Sequence, residues 1–215
     1  MLEIRNLDVA IQSVQILREV TLELPTGCMA GLIGRNGAGK TTLMKSVMGL
    51  LKVRGGTIRF DGADLVAAPT HGRTRLGIGY MPEDRRLIPD LTVEENVLTP
   101  AWAAGLPDTQ ARLAKVNRMI PELRAFASRK GLQLSGGQQK LVALGRALMC
   151  GTKLLLLDEP FEGVAPALAQ RLVEVVADLK RDGMSVILSE SDLQHSERMV
   201  DRIFVIDRGA VSTRN

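Results

Sequence analysis

Aromatic residues are scarce, at 3% of the 215-residue chain, and no apolar run approaches the roughly 20 residues that span a bilayer. Few rings means few platforms on which bases could stack. The formal net charge of +4 is spread without a dense basic run, so it reads as a solvated surface, and no nucleic acid is expected as a partner. Only two cysteines occur, Cys28 and Cys150, both in apolar surroundings and without metal-like spacing. They argue for two buried, reduced thiols in a cytosolic protein and against a disulfide framework. The N-terminal stretch MLEIRNLDVA lacks the basic-then-apolar pattern of a signal peptide. Internal repeats, low-complexity tracts and flexible linkers are missing too. The expectation is a soluble chain that meets a membrane only through a partner.

What is present is enough apolar content for a sizeable core, 45% of the chain, arranged as alternating strand and helix patterns. MLEIRNLDVAI and VTLELPTG read as strands, with Pro25 and Gly27 turning the chain. CMAGLIG (28–34) suits a strand buried on both faces, and TTLMKSVMGLL then places Leu43, Val47 and Leu50 on one helical face. TIRFDGADL carries an Asp61-Gly62 hairpin signal, and RLGIGYMPED a strand ending near Pro82. Thr92 and Glu95 form a capping box. From there to about Met149 the pattern is helical, interrupted at Pro100, Pro107 and Pro121. A strand at 153–158, a helix near 166–180, a strand at 185–189, a short helix and a strand at 202–206 follow. Such alternation predicts an α/β fold with a parallel sheet covered on both faces. Residues 1–215 form one domain on this reading, with a core of 1–87 and 147–215 and a helical insertion at about 88–146.

GRNGAGKT (Gly34–Thr41) fits G-x-x-x-x-G-K-[ST] in full, between an apolar strand and a helical pattern. Glycines let backbone amides wrap phosphates at a helix start that favours anions. Gly34, Arg35, Asn36, Gly37, Ala38, Gly39, Lys40, Thr41 and Thr42 are therefore the expected ATP-binding residues. Lys40 would reach the terminal phosphates, and the hydroxyl of Thr41 would ligate Mg²⁺. A glycine-rich turn with an exposed lysine is the blander reading, and the flanking elements weigh against it.

Such a cradle needs a second metal-binding group on a neighbouring strand. LLLLDEP supplies it: Asp158 would hold Mg²⁺ and Glu159 would act on the attacking water as general base. Taken alone, both could be exposed strand-end charges. LSGGQ (Leu134–Gln138) is a second anion-binding helix start, capped by Ser135 and bared by Gly136 and Gly137, with Gln138 completing it. One domain has no use for two sites for the same γ-phosphate, so a second copy is implied.

These motifs, in this order and over nearly the whole chain, resemble the ATP-binding subunits of ABC transporters. GRNGAGKTTLMKSVMGL, GIGYMPEDRRLIPDLTVEENV and LLLLDEPFEGVAP look like the branched-chain amino-acid and urea/amide uptake branch. The resemblance implies a P-loop NTPase (RecA-like) core with an N-terminal antiparallel β region and an inserted α-helical subdomain. It implies a head-to-tail pair of ATP-binding subunits, identical or related, with each ATP between one Walker A motif and the opposite signature. It further implies transmembrane permease subunits, a periplasmic solute-binding protein, a peripheral place on the cytoplasmic face of the membrane, and uptake of a small polar solute. The helical insertion and the loop after Tyr80 would receive the permeases.

Several positions depart from the family pattern. Glu83 stands where most members carry glutamine and could still approach Mg²⁺ or water. Ser191 takes the switch position, commonly histidine, and His195 reads as a surface residue. Ile11 would replace the adenine-stacking aromatic, and Ala165 the usual aspartate of its loop. A slow or partner-dependent ATPase is expected. The rival readings are a non-transport clamp or assembly ATPase, and a module that closes on ATP with little turnover.

Overall fold

Four consecutive leucines, Leu154–Leu157, cannot serve a single core, because successive side chains in a strand point to opposite faces. In the computed structural model, which describes residues 1–214, all four are fully buried. Leu154 and Leu156 enter one hydrophobic core, Leu155 and Leu157 the other. The strand is thus the wall between two cores, and each leucine stabilises by about 1.5–3 kcal/mol through burial.

Along the chain the elements are β1 (Leu2–Ile11), β2 (Val14–Leu24), β3 (Met29–Ile33), α1 (Lys40–Val47), β4 (Val53–Phe60), β5 (Ala63–Asp64), α2 (Gly72–Arg75) and β6 (Ile78–Met81). They continue with α3 (Val93–Ala104), α4 (Thr109–Met119), α5 (Glu122–Ala125), α6 (Gly136–Cys150), β7 (Leu154–Asp158), α7 (Pro166–Arg181), β8 (Ser185–Glu190), β9 (Arg202–Asp207) and β10 (Ala210–Arg214). The central sheet has the order β10-β9-β3-β8-β7-β6 and is parallel except at β10. A four-stranded antiparallel sheet, β2-β1-β4-β5, with α1 covers one face. On the other face α3 to α7 pack into the second core. The parallel strands β3, β8 and β7 are neighbours, so their carboxyl ends form one edge, where ligands bind in open α/β sheets.

The expected sheet and its coverage are present, and local patterning failed at identifiable places. Pro100 lies inside α3 and does not end it. Val97, Leu98 and Ala101 bury against the core around it, and the Thr92/Glu95 capping box secures the helix start, so one missing hydrogen bond is tolerated. The boundary expected at 146/147 falls within the unbroken α6. Residues 191–200 form successive turns where a short helix was expected, beginning where Asp192 Oδ1 accepts from the amide of Gln194. Leu50 lies beyond the end of α1 and is exposed. The edge strand β10, polar and mostly exposed, gave no sequence signal.

Candidate nucleotide site

The loop between β3 and α1 can take its path only because glycine occupies its ends. Gly39 has φ +116°, and a Cβ there would stand 2.9 Å from Leu17 Cδ2. A Cβ on Gly34 would lie 2.3 Å from the carbonyl oxygen of Ile206. With side chains excluded, the backbone wraps around the start of α1, whose first turn carries no acidic residue to oppose an anion. Lys40, 5% exposed, folds back over this loop and donates to the carbonyls of Gly34 and Arg35.

Asp158, at the end of β7, is completely buried and accepts three hydroxyls: Ser189 Oγ at 2.7 Å, Tyr80 OH at 3.1 Å and Thr41 Oγ1 at 3.2 Å. Burial raises the Tyr80 phenol, and the nearby Asp158 charge raises it further, so the ring stays a neutral donor. Thr41 and Asp158 offer hard oxygens side by side, the donor chemistry of Mg²⁺. Among the described residues no group of three or more His, Cys, Asp or Glu is placed to hold a metal. A partial shell of this kind suits an ion whose remaining ligands are phosphate and water.

Glu159 has φ +49°, a left-handed conformation that is costly for a side chain with a Cβ. Its N–H is held by Ser189 through both Oγ (3.1 Å) and the carbonyl (3.2 Å), and its own carbonyl accepts from Lys140 Nζ at 2.9 Å. The carboxylate lies 3.0 Å from Lys40 Nζ with both side chains buried. The contact is close enough for an ion pair, but its angle leaves Oε1 without a directed hydrogen bond. Burial pushes the Glu159 carboxyl upward, against the opposing pull of Lys40. Lys140 itself is pushed down to about 8, chiefly by burial and then by Arg85.

A cavity of about 410 Å³ gathers Asn36, Gly37, Gly39, Lys40, Thr41 and Thr42 with Glu83, Glu159, Glu162 and Ile16. Ile11, expected on the adenine side, stands exposed at the tip of the β1–β2 hairpin, opposite Val14, and is not among the lining residues. Ile16, farther along β2, approaches Gly39 and is the apolar side chain that lines the cavity. Glu83 is exposed at the cavity margin.

A second cavity, about 310 Å³, shares Glu159 and Glu162 and adds Phe161, Glu190, Ser191, Asp192, Gln194 and His195. His195 is no isolated surface histidine. Its ring is half-buried and stacks on Phe161 with centroids 5.1 Å apart. Ser191, expected at the switch position, donates to Asn36 Oδ1 at 3.1 Å and so touches the glycine-rich loop. Glu190, 5% exposed and with Oε1 unpartnered, is pushed up to about 7, mainly by burial. A raised carboxyl binds a proton in the folded chain that the unfolded chain has already released. Stability from this group is therefore present below about pH 4.5 and lost as pH rises toward 7. Glu190→Gln is expected to stabilise the chain by up to about 3 kcal/mol at pH 8.5 and far less at pH 5. Urea unfolding of both proteins at the two pH values checks this; an equal difference at each would refute it.

The signature motif faces elsewhere. Ser135 caps α6, accepting from the amide of Gln138 at 3.3 Å, while Gln138 Oε1 accepts from the amide of Ser135 at 3.0 Å. Ser135 and Gly136 are exposed, and no residue of 134–138 lines the phosphate cavity. Arg85 donates to Gln139 Oε1, and Arg146 to the carbonyls of Arg85 and Arg86, tying the loop after β6 to α6. Ala165 caps α7 without a side-chain hydrogen bond.

Tyr80, Ser189 and Lys140 were not singled out from the sequence, although each left a trace. Tyr80 is the single tyrosine of the chain, Ser189 interrupts an apolar strand, and Lys140 falls on the apolar stripe of α6.

Phosphate cradle, buried acid and second acid meet at one edge of a parallel sheet, which places the chain among the P-loop nucleoside triphosphatases. Residues 17–162 match the ABC transporter family, and the chain belongs to that family. It is 37% identical over 198 residues to the high-affinity branched-chain amino acid transport ATP-binding protein BraG of Pseudomonas aeruginosa, covering 92% of this chain and 85% of that one. It is also 32% identical over 208 residues to the lipopolysaccharide export system ATP-binding protein LptB of Haemophilus influenzae, covering 96% and 86%. Among solved structures it resembles a dimeric bacterial ABC transporter cassette, with a TM-score of 0.88, 26% identity, and 99% and 97% coverage. The chain is therefore an ATPase subunit of an ABC transporter, a kind of subunit that works as a dimer with transmembrane permeases. Among the described residues no helix is long and apolar enough to cross a membrane.

Proposed function

We propose that the chain powers import of a small polar solute, such as a branched-chain amino acid, urea or an amide. The observation that carries the mechanism is the meeting of Lys40 and Glu159 in the phosphate cavity while Ser135 faces outward. Two chains paired head to tail would each complete the other's site, Ser135, Gly136, Gly137 and Gln138 closing on the partner's ATP. Lys40 then exchanges Glu159 for phosphate oxygens, freeing the carboxylate. Glu159 takes a proton from water as its oxygen bonds to the γ-phosphorus, while the bond to the bridging oxygen breaks and ADP departs. Thr41 and Asp158 would hold Mg²⁺, which would supply charge neutralisation at the phosphates, and Glu83, lining the same cavity, would offer a further oxygen to the ion or its water. Ser191 holds Asn36 and, through it, the phosphate loop.

The similarity to BraG supports uptake as the direction. Similarity to LptB favours a second reading, in which the same motor drives export. Co-purification from the native membrane, followed by assembly of the complex in vesicles, separates the two. ATP-driven accumulation of labelled leucine or urea is expected. Recovery of export subunits, with no solute accumulated, would overturn the import reading.

A further inference from the structure

Lys140 is among the largest of the fully buried side chains, at 2% exposure, and no carboxylate forms an ion pair with it among the described residues. Buried lysines are rare without a charged partner. Here the ammonium's three donors meet three main-chain carbonyls of the loop that follows β7: Glu159 at 2.9 Å, Pro160 at 3.1 Å, and Glu162. The carbonyls converge because Glu159 takes a left-handed conformation and turns the chain, with the Glu162 amide reaching back to the Glu159 carbonyl. On the other side of the same residue, Ser189 holds the amide. Both peptide groups flanking the Glu159 Cα are anchored, and this fixes the Cα–Cβ direction from which its carboxylate reaches Lys40.

The anchor belongs to the signature helix. Lys140 lies five residues beyond the cap Ser135, about 7.5 Å along α6 at 1.5 Å per residue. We propose that Lys140 is a positioning residue for Glu159, through which the seating of Ser135 on a partner's nucleotide is felt by the base in this chain's own site. The proposal rests on the reading of Glu159 as general base and on head-to-tail pairing. A shift of the stiff start of α6 moves the ammonium, and with it the three carbonyls and the left-handed turn. Each chain thereby reads its neighbour's occupancy through one side chain.

The test uses the ATPase complex with its permeases. Lys140→Met should lower kcat at least tenfold with the KM for ATP within about twofold, and reduce the Hill coefficient for ATP toward one. Lys140→Arg, which keeps a charged donor, should recover part of both. A lysine that merely supported the fold would move KM and kcat together and lower the melting temperature in proportion. Should Lys140→Met fail to fold, Lys140→Gln carries the same comparison, and failure of both overturns the proposal. Glu159→Gln run alongside separates the two readings. Its unchanged turnover removes the base and the proposal together. Its collapse, beside wild-type kcat or a wild-type Hill coefficient in the Lys140 variants, overturns the lysine's role alone.

Discussion

Glu159→Gln is expected to cut ATP turnover by the assembled complex about 100- to 10,000-fold, the range a positioned general base supplies. Nucleotide binding should survive, because the cradle and Lys40 are untouched. The amide keeps the volume and polarity of the carboxylate, so the turn at φ +49° and its anchors on Ser189 and Lys140 are retained. What goes is the negative charge, and with it the ability to accept a proton and the pairing with Lys40. Phosphate release measured beside equilibrium ATP binding decides the matter. Turnover close to wild type would remove Glu159 from the chemistry.

Lys40→Met should have a large effect of a different kind. Lys40 and Glu159 lie 3.0 Å apart with their side chains 5% and 9% exposed. Removing one member of a buried pair strands the other, at a cost of about 3–5 kcal/mol. The stranded carboxyl escapes part of this by taking a proton, so the loss is expected to be greater at pH 8 than at pH 5. Adding Glu159→Gln to Lys40→Met should restore most of the stability without restoring nucleotide binding. Chemical unfolding of the single and double variants measures the coupling. A double variant no more stable than Lys40→Met would show that the pair is not energetically linked.

The phosphate site was legible because its chemistry is local. Gly34–Thr41 encodes a backbone path, a helix start and a lysine in eight consecutive positions, and the structure builds all three. Ser135 was legible as the cap of α6 for the same reason, whereas the reciprocal bond from Gln138 was not read from the sequence. Contacts made across the fold were not. Ser189 and Tyr80 reach Asp158 only because β8 and β6 flank β7, a neighbour relation that no spacing reports. The adenine-side contact was placed at Ile11, but the hairpin register carries that residue to the exposed tip and brings Ile16 beside Gly39. Pro100 was read by its local cost, and tertiary packing overrode it. His195 looked peripheral in sequence and stacks on Phe161 because the turns after β8 fold back over the loop after β7.

The two-faced burial of β7 has an evolutionary implication. Leu154 and Leu156 answer to the antiparallel sheet, while Leu155 and Leu157 answer to the helices. Drift in either half of the molecule can therefore press on the strand that delivers Asp158 and Glu159. Outer helices and loops are free to diversify toward new partners, but this party wall has to satisfy tenants on both sides at once.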